Sequence, residues 1–468
     1  MDKKICVIGG GPGGYVAAIR LAQLGKKAVV IEKEEIGGTC LNHGCIPSKI
    51  MKATSSLFSK TKEFKNFGII LDSAPKLDLS QLQSKKEKIL QSQRKGIESI
   101  LNHHGIELIK GEASFKDDKI LQIHTPDNEI LNMQFEYCII ASGTTASTVP
   151  SFEFDHEKII SSNDLLALES IPGSITIIGG GIIGCEFASI LAEMGSKVSL
   201  IEARERILPI KGLEPEISKD LEREFKKKKI KVYKNCSATL VHSDSNMLKL
   251  SLTEKGTEKE VECEKIAVCT GRKSLSNLLN LKNAGVSTDE KGWIITDKNY
   301  KTSNQKIYAI GDILGPKFSM LAHTASFEGR IAAENITGTN TTKLNYQNIP
   351  GAIFTTPEIG FIGLSEEIAT EKEIQVLKEK ILFRTSGKAH AIGEIAGEAI
   401  IIAEKKSKKI IGIHIIGPHA SDLLGEASVL VQQNVDFISL ANTVHAHPTL
   451  SEILMETGLK LAGMGIHG

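Results

Sequence analysis

The chain has 468 residues, which suggests about three domains at roughly 150 residues each. It carries 57 Lys and Arg against 56 Asp and Glu, and this balance excludes a general attraction to nucleic acid or to an anionic membrane. The longest apolar runs, such as Ile175–Ile183, are far shorter than the about 20 residues that a membrane-spanning helix needs.

The start of the chain and its cysteines predict a cytoplasmic location. A short polar stretch after Met1 leads at once into a strand-like run, so no secretory signal is expected. The eight cysteines are scattered along the chain, unlike those of a disulfide-stapled secreted domain. One close pair, Cys40 and Cys45, needs a separate explanation.

An internal repeat organises the first half of the chain. Residues 5–32 and residues 175–202 are identical at thirteen of 28 aligned positions. Each copy begins with an apolar, β-rich run and passes through a glycine cluster into a helical stretch, which ends near Gly25 or Gly195. A second apolar run then ends on an acid, so each copy is predicted to be a βαβ unit of a parallel sheet.

The glycines of each copy fit the pattern G-x-G-x-x-G, which is typical of dinucleotide binding. The first glycine allows a tight turn, the second lets the backbone approach a pyrophosphate, and the third lets helix and strand pack closely. The acid at the end of each unit is placed to accept hydrogen bonds from ribose hydroxyls. The two sets are Gly9, Gly11, Gly14 and Glu32, then Gly179, Gly181, Gly184 and Glu202. The sequence therefore predicts two dinucleotide sites.

Two further regions follow the second repeat. Residues 246–270 are predicted to form short strands with a turn near Lys255 and Gly256. Beyond Thr341, strand-like runs alternate with helical runs, which is typical of a separate α+β domain.

The cysteine pair lies in the segment GGTCLNHGCIPSK, residues 37–49. A disulfide needs Cα atoms within about 7 Å, so this segment must bend, and Gly44 permits the bend. A structural zinc site needs about four ligands, and no second cysteine pair accompanies this one, so no metal is predicted. In a cytosolic chain, a close pair just after a dinucleotide site indicates redox chemistry; two unrelated thiols are the alternative.

Two other segments carry weaker signals when each is considered alone. The run Ile307–Asp312 is strand-like and ends in Gly-Asp, where a carboxylate can hold the polyol chain of a flavin nucleotide or can simply belong to a structural turn. The string HAHPTLSE, residues 445–452, contains a histidine before proline, which on its own is more often a turn residue.

These segments occur in one order along the whole chain, and together they resemble the pyridine-nucleotide disulfide oxidoreductases. The likeness is greatest to the members that oxidise dihydrolipoamide. It implies an oxidoreductase that uses FAD and NAD, with FAD on the first glycine motif and Glu32, and NAD on the second motif and Glu202.

The resemblance also implies further cofactor contacts. Glu186 could instead be a simple acid near the N-terminus of a helix. The FAD contacts would be Lys49, Gly111, Ser142, Gly143, Asp312, Met320, Leu321, Ala322 and His323, and the additional NAD contacts would be Glu186 and Gly271.

The same resemblance assigns catalytic roles. Cys40 would exchange with the substrate thiol, and Cys45 would lie next to the flavin. His447 would act as the base, and Glu452 would orient its imidazole.

The implied fold is α/β, with two Rossmann-like dinucleotide-binding domains and a C-terminal α+β dimerisation domain. Residues 1–145 would bind FAD, 146–270 would bind NAD, 271–342 would complete the FAD site, and 343–468 would form the dimer interface. The expected partners are a second copy, the lipoyl domains and subunit-binding domain of a 2-oxoacid dehydrogenase acyltransferase, and the lipoyl protein of the glycine cleavage system.

Features of the sequence distinguish this chain from related disulfide reductases and from a non-catalytic binding protein. Residues 461–468 have no cysteine, unlike mercuric reductases and the larger thioredoxin reductases. Glu202 would repel the 2′-phosphate of the NADPH that glutathione reductases use, although Arg204 and Arg206 are close enough in sequence to offset this. A binding protein with purely structural nucleotides would not need the cysteine pair and the His-Glu segment together.

Overall fold

A computed structural model describes residues 4–243, 247–254, 257–339 and 342–467. The strands, in chain order, are β1 (Lys4–Ile8), β2 (Ala28–Glu32), β3 (Glu107–Lys110), β4 (Glu112–Phe115), β5 (Ile120–His124), β6 (Ile130–Ile140), β7 (Thr144–Ala146), β8 (Ile159–Ile160), β9 (Ser174–Ile178), β10 (Lys197–Ile201), β11 (Lys231–Tyr233), β12 (Cys236–Ser243), β13 (Leu248–Glu254), β14 (Thr257–Cys263), β15 (Lys265–Val268), β16 (Arg272–Ser274), β17 (Ile307–Ala309), β18 (Gly351–Ile353), β19 (Glu358–Gly363), β20 (Val376–Leu382), β21 (Glu398–Glu404) and β22 (Ile410–Gly417).

The α-helices are α1 (Pro12–Gln23), α2 (Gly38–His43), α3 (Cys45–Lys60), α4 (Leu79–His103), α5 (Ser162–Leu166), α6 (Ile182–Glu193), α7 (Pro215–Lys227), α8 (Ala322–Thr337), α9 (Glu366–Glu371), α10 (Gly387–Ala391), α11 (Ala420–Gln432), α12 (Phe437–Ala441) and α13 (Glu452–Leu461). Short 3₁₀ turns cover Thr61–Phe67, Ser276–Leu278, Leu281–Ala284, Gly311–Leu314, Tyr346–Asn348 and Phe383–Thr385.

The chain divides into two compact units, each built from several stretches of sequence. The first unit comprises Met1–Met51, Asp78–Ser147 and Gly271–Tyr346. The second comprises Lys52–Leu77, Thr148–Thr270 and Gln347–Gly468. Each of the two repeats therefore lies in its own unit.

The first unit is built on one mixed sheet in the order β3-β2-β1-β6-β5-β4, with β17 also paired to β6. Strands β3, β2, β1, β6 and β17 run parallel, and β6 is long enough to pair antiparallel with β5 through its first half. The apolar runs of β1, β2 and the end of β6 are buried, which explains why they read as unbroken Val/Ile segments. Helix α8 packs on α1 through Gly329, where an added Cβ would lie 2.3 Å from the carbonyl oxygen of Gly13.

The second unit contains the second repeat and the α+β region. Its parallel sheet has the order β11-β10-β9-β15-β8, and β12-β13-β14 form an antiparallel sheet beside it. The turn predicted near Lys255 and Gly256 lies outside the described residues. An antiparallel sheet, β18-β19-β22-β21-β20, carries α11 and α13 and buries a separate apolar core.

Both predicted βαβ units are present with parallel registers between their strands. The predicted helix ends are also found, since Gly25 and Gly195 follow α1 and α6 with φ of 76° and 107°. Across the described parts of the chain, the helices lack the combination of length and apolar character that crossing a membrane requires.

Candidate active site

The first glycine motif forms a tight turn between β1 and α1. Gly9 has φ of 100°, and a Cβ there would lie 2.4 Å from the carbonyl oxygen of Ala141. A Cβ at Gly14 would lie 1.9 Å from the carbonyl oxygen of Gly9. Only glycine fits these two positions. The tight turn leads directly into α1, so the N–H groups at the start of this helix lie beside the turn.

The acid at the end of each unit is held in the same way in both repeats. The Glu32 Oε2 accepts the N–H of Gly10 at 2.7 Å, and its Oε1 accepts the N–H of Glu34 at 2.8 Å. In the second repeat, Glu202 accepts the corresponding N–H groups of Gly180 and Arg204 at 2.7 Å and 2.8 Å. Two backbone hydrogen bonds orient each carboxylate and leave further lone pairs for ribose hydroxyls.

The backbone at both turns fits a dinucleotide. A Cβ added at Gly181 would meet no described atom within 4 Å, and one at Gly11 would approach only the Cα of Gly38, at 3.8 Å. The hydroxyl of Ser142 is buried without a hydrogen-bond partner among the described residues. The open N-terminus of α1 can receive a pyrophosphate, and the buried Ser142 hydroxyl has hydrogen-bonding capacity left for a ligand, so the first turn fits FAD.

Asp312 is held in the first unit, in the 3₁₀ turn after β17. Its Oδ2 accepts the hydroxyl hydrogen of Thr144 at 3.3 Å, and the Nε of Arg272 donates to the same hydroxyl oxygen at 2.7 Å. Burial raises the pKa of Asp312, while the positive charge of Arg272 and the Thr144 hydrogen bond work in the opposite direction. Thr144 and Arg272 were missed by the sequence analysis because they are 128 residues apart and match no short motif.

The remaining predicted FAD residues also lie in the first unit. Gly111 donates its N–H to the carbonyl of Glu32 at 2.9 Å, and Gly143 has φ of 68°. Met320 and Leu321 precede α8, and Ala322 begins it; these three are half-buried, whereas His323 is exposed. These placements leave the predicted cofactor contacts as predictions.

The two cysteines lie on consecutive helices that are separated by a sharp bend. Cys40 is in the middle of α2, the bend is at Gly44, and Cys45 begins α3. A Cβ at Gly44 would lie 2.9 Å from the carbonyl oxygen of Thr39, so the bend depends on glycine. Both cysteines are in the thiol form in this structure, with Cys40 half-buried and Cys45 exposed.

The Cys40 thiol is in direct contact with Cys45. The Cys40 thiol donates a hydrogen bond to the Cys45 sulfur, which raises the pKa of Cys40, and burial raises it further. The positive charge of Lys49, one turn into α3, acts in the opposite direction. The predicted pair is therefore brought together, with its predicted cation nearby, while the pairing as a disulfide stays a prediction.

The cysteine-bearing helix α2 packs against the first dinucleotide turn through glycines. Gly37 donates its N–H to the carbonyl of Gly10 at 2.9 Å. Gly38 has φ of 58°, and a Cβ there would lie 2.7 Å from the Cα of Gly11. This close approach places the thiol pair next to the open N-terminus of α1.

The other predicted NAD residues are divided between the units. Glu186, on α6, is buried, and its Oε1 accepts the N–H of Phe354 at 2.9 Å. Gly271 has φ of 146° and accepts the N–H of Ser147 at 3.0 Å. Gly271 falls in the first unit, whereas the glycines of the second motif fall in the second unit.

The predicted base and its orienting acid are in contact in the second unit. The Nδ1 of His447 lies 2.9 Å from Oε1 of Glu452, and 77% of the His447 side chain is exposed. The second oxygen of Glu452 accepts the N–H of Thr449 at 2.7 Å. Burial opposes ionisation of Glu452, but the hydrogen bonds from Thr449 and His447 lower its pKa overall. His445, in contrast, is nearly buried and bonded through both ring nitrogens to Thr443 and Glu426.

Two dinucleotide folds, a thiol pair packed on the first of them and an exposed His-Glu pair define a nucleotide-dependent thiol oxidoreductase. Residues 3–329 match the family model described as pyridine nucleotide-disulphide oxidoreductase, and residues 349–457 match the dimerisation domain of the same family. The chain belongs to the pyridine nucleotide-disulphide oxidoreductases.

Curated relatives match over nearly the whole chain. A Haloferax volcanii protein named dihydrolipoyl dehydrogenase is 34% identical over 467 residues, which cover 99% of this chain and 97% of the relative. A Bacillus subtilis protein of the same name is 35% identical over 469 residues, with 100% and 98% coverage.

Solved structures share the fold. LpdA from Mycobacterium tuberculosis superposes with a TM-score of 0.90 at 23% identity, covering 98% of this chain and 99% of that one. The flavoprotein disulfide reductase RclA from Escherichia coli superposes with a TM-score of 0.86 at 23% identity, with the same coverage.

These findings confirm several predictions. The fold class is confirmed by the family and by the structural neighbours. The prediction of an oxidoreductase that uses FAD and NAD is confirmed by the family. The match to a dimerisation domain supports the predicted homodimer.

Proposed function

We propose that this chain is a dihydrolipoyl dehydrogenase, which oxidises protein-bound dihydrolipoamide and reduces NAD⁺ to NADH. The observation that carries this proposal is the thiol pair, held on α2 and α3 against the first dinucleotide turn. The names of the full-length relatives point to the same activity.

The cysteines perform the exchange with the substrate. A thiolate of dihydrolipoamide attacks Sγ of Cys40 in the oxidised pair, forms a mixed disulfide and releases Cys45 as the thiolate. The second substrate thiol then displaces Cys40, so the substrate leaves as a disulfide and the protein pair gains two electrons. FAD, when bound, supplies the two-electron acceptor that links this dithiol to NAD.

His447 takes the substrate proton. Its Nδ1 faces Glu452 at 2.9 Å, so Nδ1–H donates to that carboxylate and Nε2 is left as the proton acceptor. The pKa of Glu452 is lowered, which keeps the carboxylate charged at neutral pH and stabilises the imidazolium that forms.

Glu202 selects NAD over NADP. Its carboxylate is fixed by two backbone N–H groups at the position expected for the ribose. The side chain of Arg206 turns toward the carbonyl oxygens of Ile210 and Leu213, at 3.5 Å each, so it is occupied by its own loop. Because Arg206 is held by these carbonyls, it is less available to neutralise the charge of the 2′-phosphate of NADP.

The proposed activity assigns a role to each part of the chain and implies particular partner proteins. The FAD site would draw on residues 1–145 and 271–342, the NAD site on 146–270, and the dimer contact on 343–468. The lipoyl domains and subunit-binding domain of a 2-oxoacid dehydrogenase acyltransferase would be the cytoplasmic partners, with the glycine cleavage lipoyl protein as an additional dithiol donor.

A steady-state assay tests the proposal. NAD and NADP are each offered as acceptor, with dihydrolipoamide and glutathione each as donor. Rapid NADH formation from dihydrolipoamide, with little turnover for the other three combinations, is expected. Preferential use of glutathione with NADP would contradict the proposal.

A further inference from the structure

The side chain of Asn42 lies between the two cysteines in sequence and bonds to the backbone around them. Its Nδ2 lies 3.1 Å from each of three carbonyl oxygens, those of Glu35, Ile36 and Gly38. These carbonyls belong to the turn that enters α2 and to the first residue of that helix. One amide therefore joins the helix that carries Cys40 to the segment before it.

Arg94, from the distant helix α4, completes this arrangement. Its Nη1 donates to Oδ1 of Asn42 at 3.1 Å, and only 16% of its side chain is exposed. Because a guanidinium can only donate, this contact fixes which end of the amide is oxygen. The two amide hydrogens are then shared among the three carbonyls.

The helix α2 depends on such support. It has six residues, and so short a helix is not stable in isolation. Its first residue follows Gly37, whose φ of 100° lies in the left-handed region, and its end is the bend at Gly44. Glycines at both ends allow the required geometry but do not hold it, since they leave the backbone free to move.

We propose that Asn42, oriented by Arg94, is a positioning residue that holds Cys40 in register with Cys45. This inference rests on the proposed function and adds a determinant of the redox equilibrium of the pair. A disulfide is favoured when its two thiols are held close together, which is an effective-concentration effect. Without the Asn42 amide, α2 is less restrained, and the disulfide becomes easier to reduce.

The test is the equilibrium between dithiothreitol and the Cys40–Cys45 disulfide in the holoenzyme. The cysteines are trapped by alkylation at a series of dithiothreitol ratios and quantified by mass spectrometry. Asn42→Asp keeps the side-chain shape but removes every donor, and Asn42→Ser removes the amide. Both are expected to shift the equilibrium toward the dithiol by about 10-fold, the scale on which lost hydrogen bonds change an equilibrium constant.

Arg94 provides a second test that leaves the loop itself unchanged. Arg94→Gln is expected to shift the equilibrium in the same direction by about 3-fold, and Arg94→Lys, which keeps a cationic donor, is expected to stay nearer to wild type. Asn283→Asp is the matched control, because Asn283 donates to a single carbonyl, that of Phe115, in the same unit. FAD content and NADH oxidation by an artificial acceptor should be unchanged in all of them.

The outcomes are distinguishable. Equilibria within 2-fold of wild type for Asn42→Asp, Asn42→Ser and Arg94→Gln would overturn the positioning role and leave the proposed function intact. A wild-type enzyme with no reversible Cys40–Cys45 disulfide would overturn the proposed function and this inference with it.

Discussion

At the residue scale, the proposed chemistry depends on two sulfur atoms whose surroundings differ. Cys40 is half-buried in α2 beside the first dinucleotide turn, and Cys45 is exposed at the start of α3. The segment that brings these atoms together depends on glycines at 37, 38 and 44. A Cβ at these positions would lie 2.4 Å from the Leu41 side chain, 2.7 Å from the Cα of Gly11 and 2.9 Å from the carbonyl oxygen of Thr39, respectively.

Replacement of each cysteine should have a different result. Cys45→Ser is expected to abolish dihydrolipoamide oxidation while FAD stays bound, because only one sulfur is lost. Cys40→Ser is expected to show a long-wavelength absorbance band near neutral pH, since the remaining Cys45 thiolate would lie beside the flavin. Absorption spectra and steady-state rates provide the measurement, and a band seen only in Cys45→Ser would reverse the two roles.

The choice of nicotinamide cofactor also belongs to a single residue. Glu202→Ala removes the carboxylate that would bond the ribose and repel a 2′-phosphate. The variant is expected to bind NAD more weakly and to discriminate less against NADP, as seen in KM values for both cofactors. Glu205→Ala, at an exposed position of the same loop, is the matched control. Unchanged constants for Glu202→Ala would place the specificity elsewhere.

At the scale of elements, α8 carries a buried carboxyl that the proposed chemistry does not use. The Glu328 Oε2 accepts the N–H of Gly311 at 2.6 Å, and its Oε1 accepts the hydroxyl hydrogen of Tyr346 at 2.5 Å. Burial raises the pKa of Glu328 to about 7, with a contribution from the charge of Asp312, although both hydrogen bonds act against the rise.

This raised pKa predicts a pH dependence of stability. The protonated carboxyl is favoured in the folded chain, so its contribution is fully present below about pH 4.5 and is lost as pH rises to about 7. The size of the loss is about 3 kcal/mol. Glu328→Gln cannot ionise, so its thermal midpoint relative to wild type should rise between about pH 5 and pH 8.

The measurement is the thermal unfolding midpoint of wild-type and Glu328→Gln holoenzymes between about pH 5 and pH 8. Glu98→Gln, at an exposed position of α4, controls for the loss of a carboxyl elsewhere in the same unit. A difference between Glu328→Gln and wild type that stays constant with pH would contradict the expected titration.

The sequence predicted the parts of the site that depend on local steric rules. Gly9, Gly14 and their counterparts are required by contacts within a few residues or by a neighbouring strand, so their spacing is visible in the chain. The bend at Gly44 was predicted on a different ground, because a close cysteine pair requires the segment between the two residues to bend. Helix α4 received no prediction, since its 25 residues are strongly polar with few buried positions.

Contacts across long stretches of sequence were not predictable. Arg94 reaches Asn42 over 52 residues, and Thr144 reaches Asp312 over 168. No spacing rule connects such partners, because the fold alone brings them together.

At the scale of the whole molecule, the predicted catalytic groups are divided between the two units. The cysteines belong to the first unit, and His447 with Glu452 belongs to the second. Residues 349–457, which include His447, match the family's dimerisation domain. We propose that each active site combines the cysteines of one chain with His447 of the other, so that a monomer could not catalyse thiol exchange.

His447→Gln should lose dihydrolipoamide oxidation on the scale of a general base, about 100- to 10,000-fold, with FAD retained. NADH oxidation by an artificial acceptor should largely survive, because it does not require the disulfide. Inactive Cys45→Ser chains and inactive His447→Gln chains are then mixed under conditions that allow subunit exchange. At equal input about half of the dimers are mixed, and each is expected to regain one intact site and measurable dihydrolipoamide oxidation. No recovery, with mixed dimers shown to form, would contradict a base that acts across the interface.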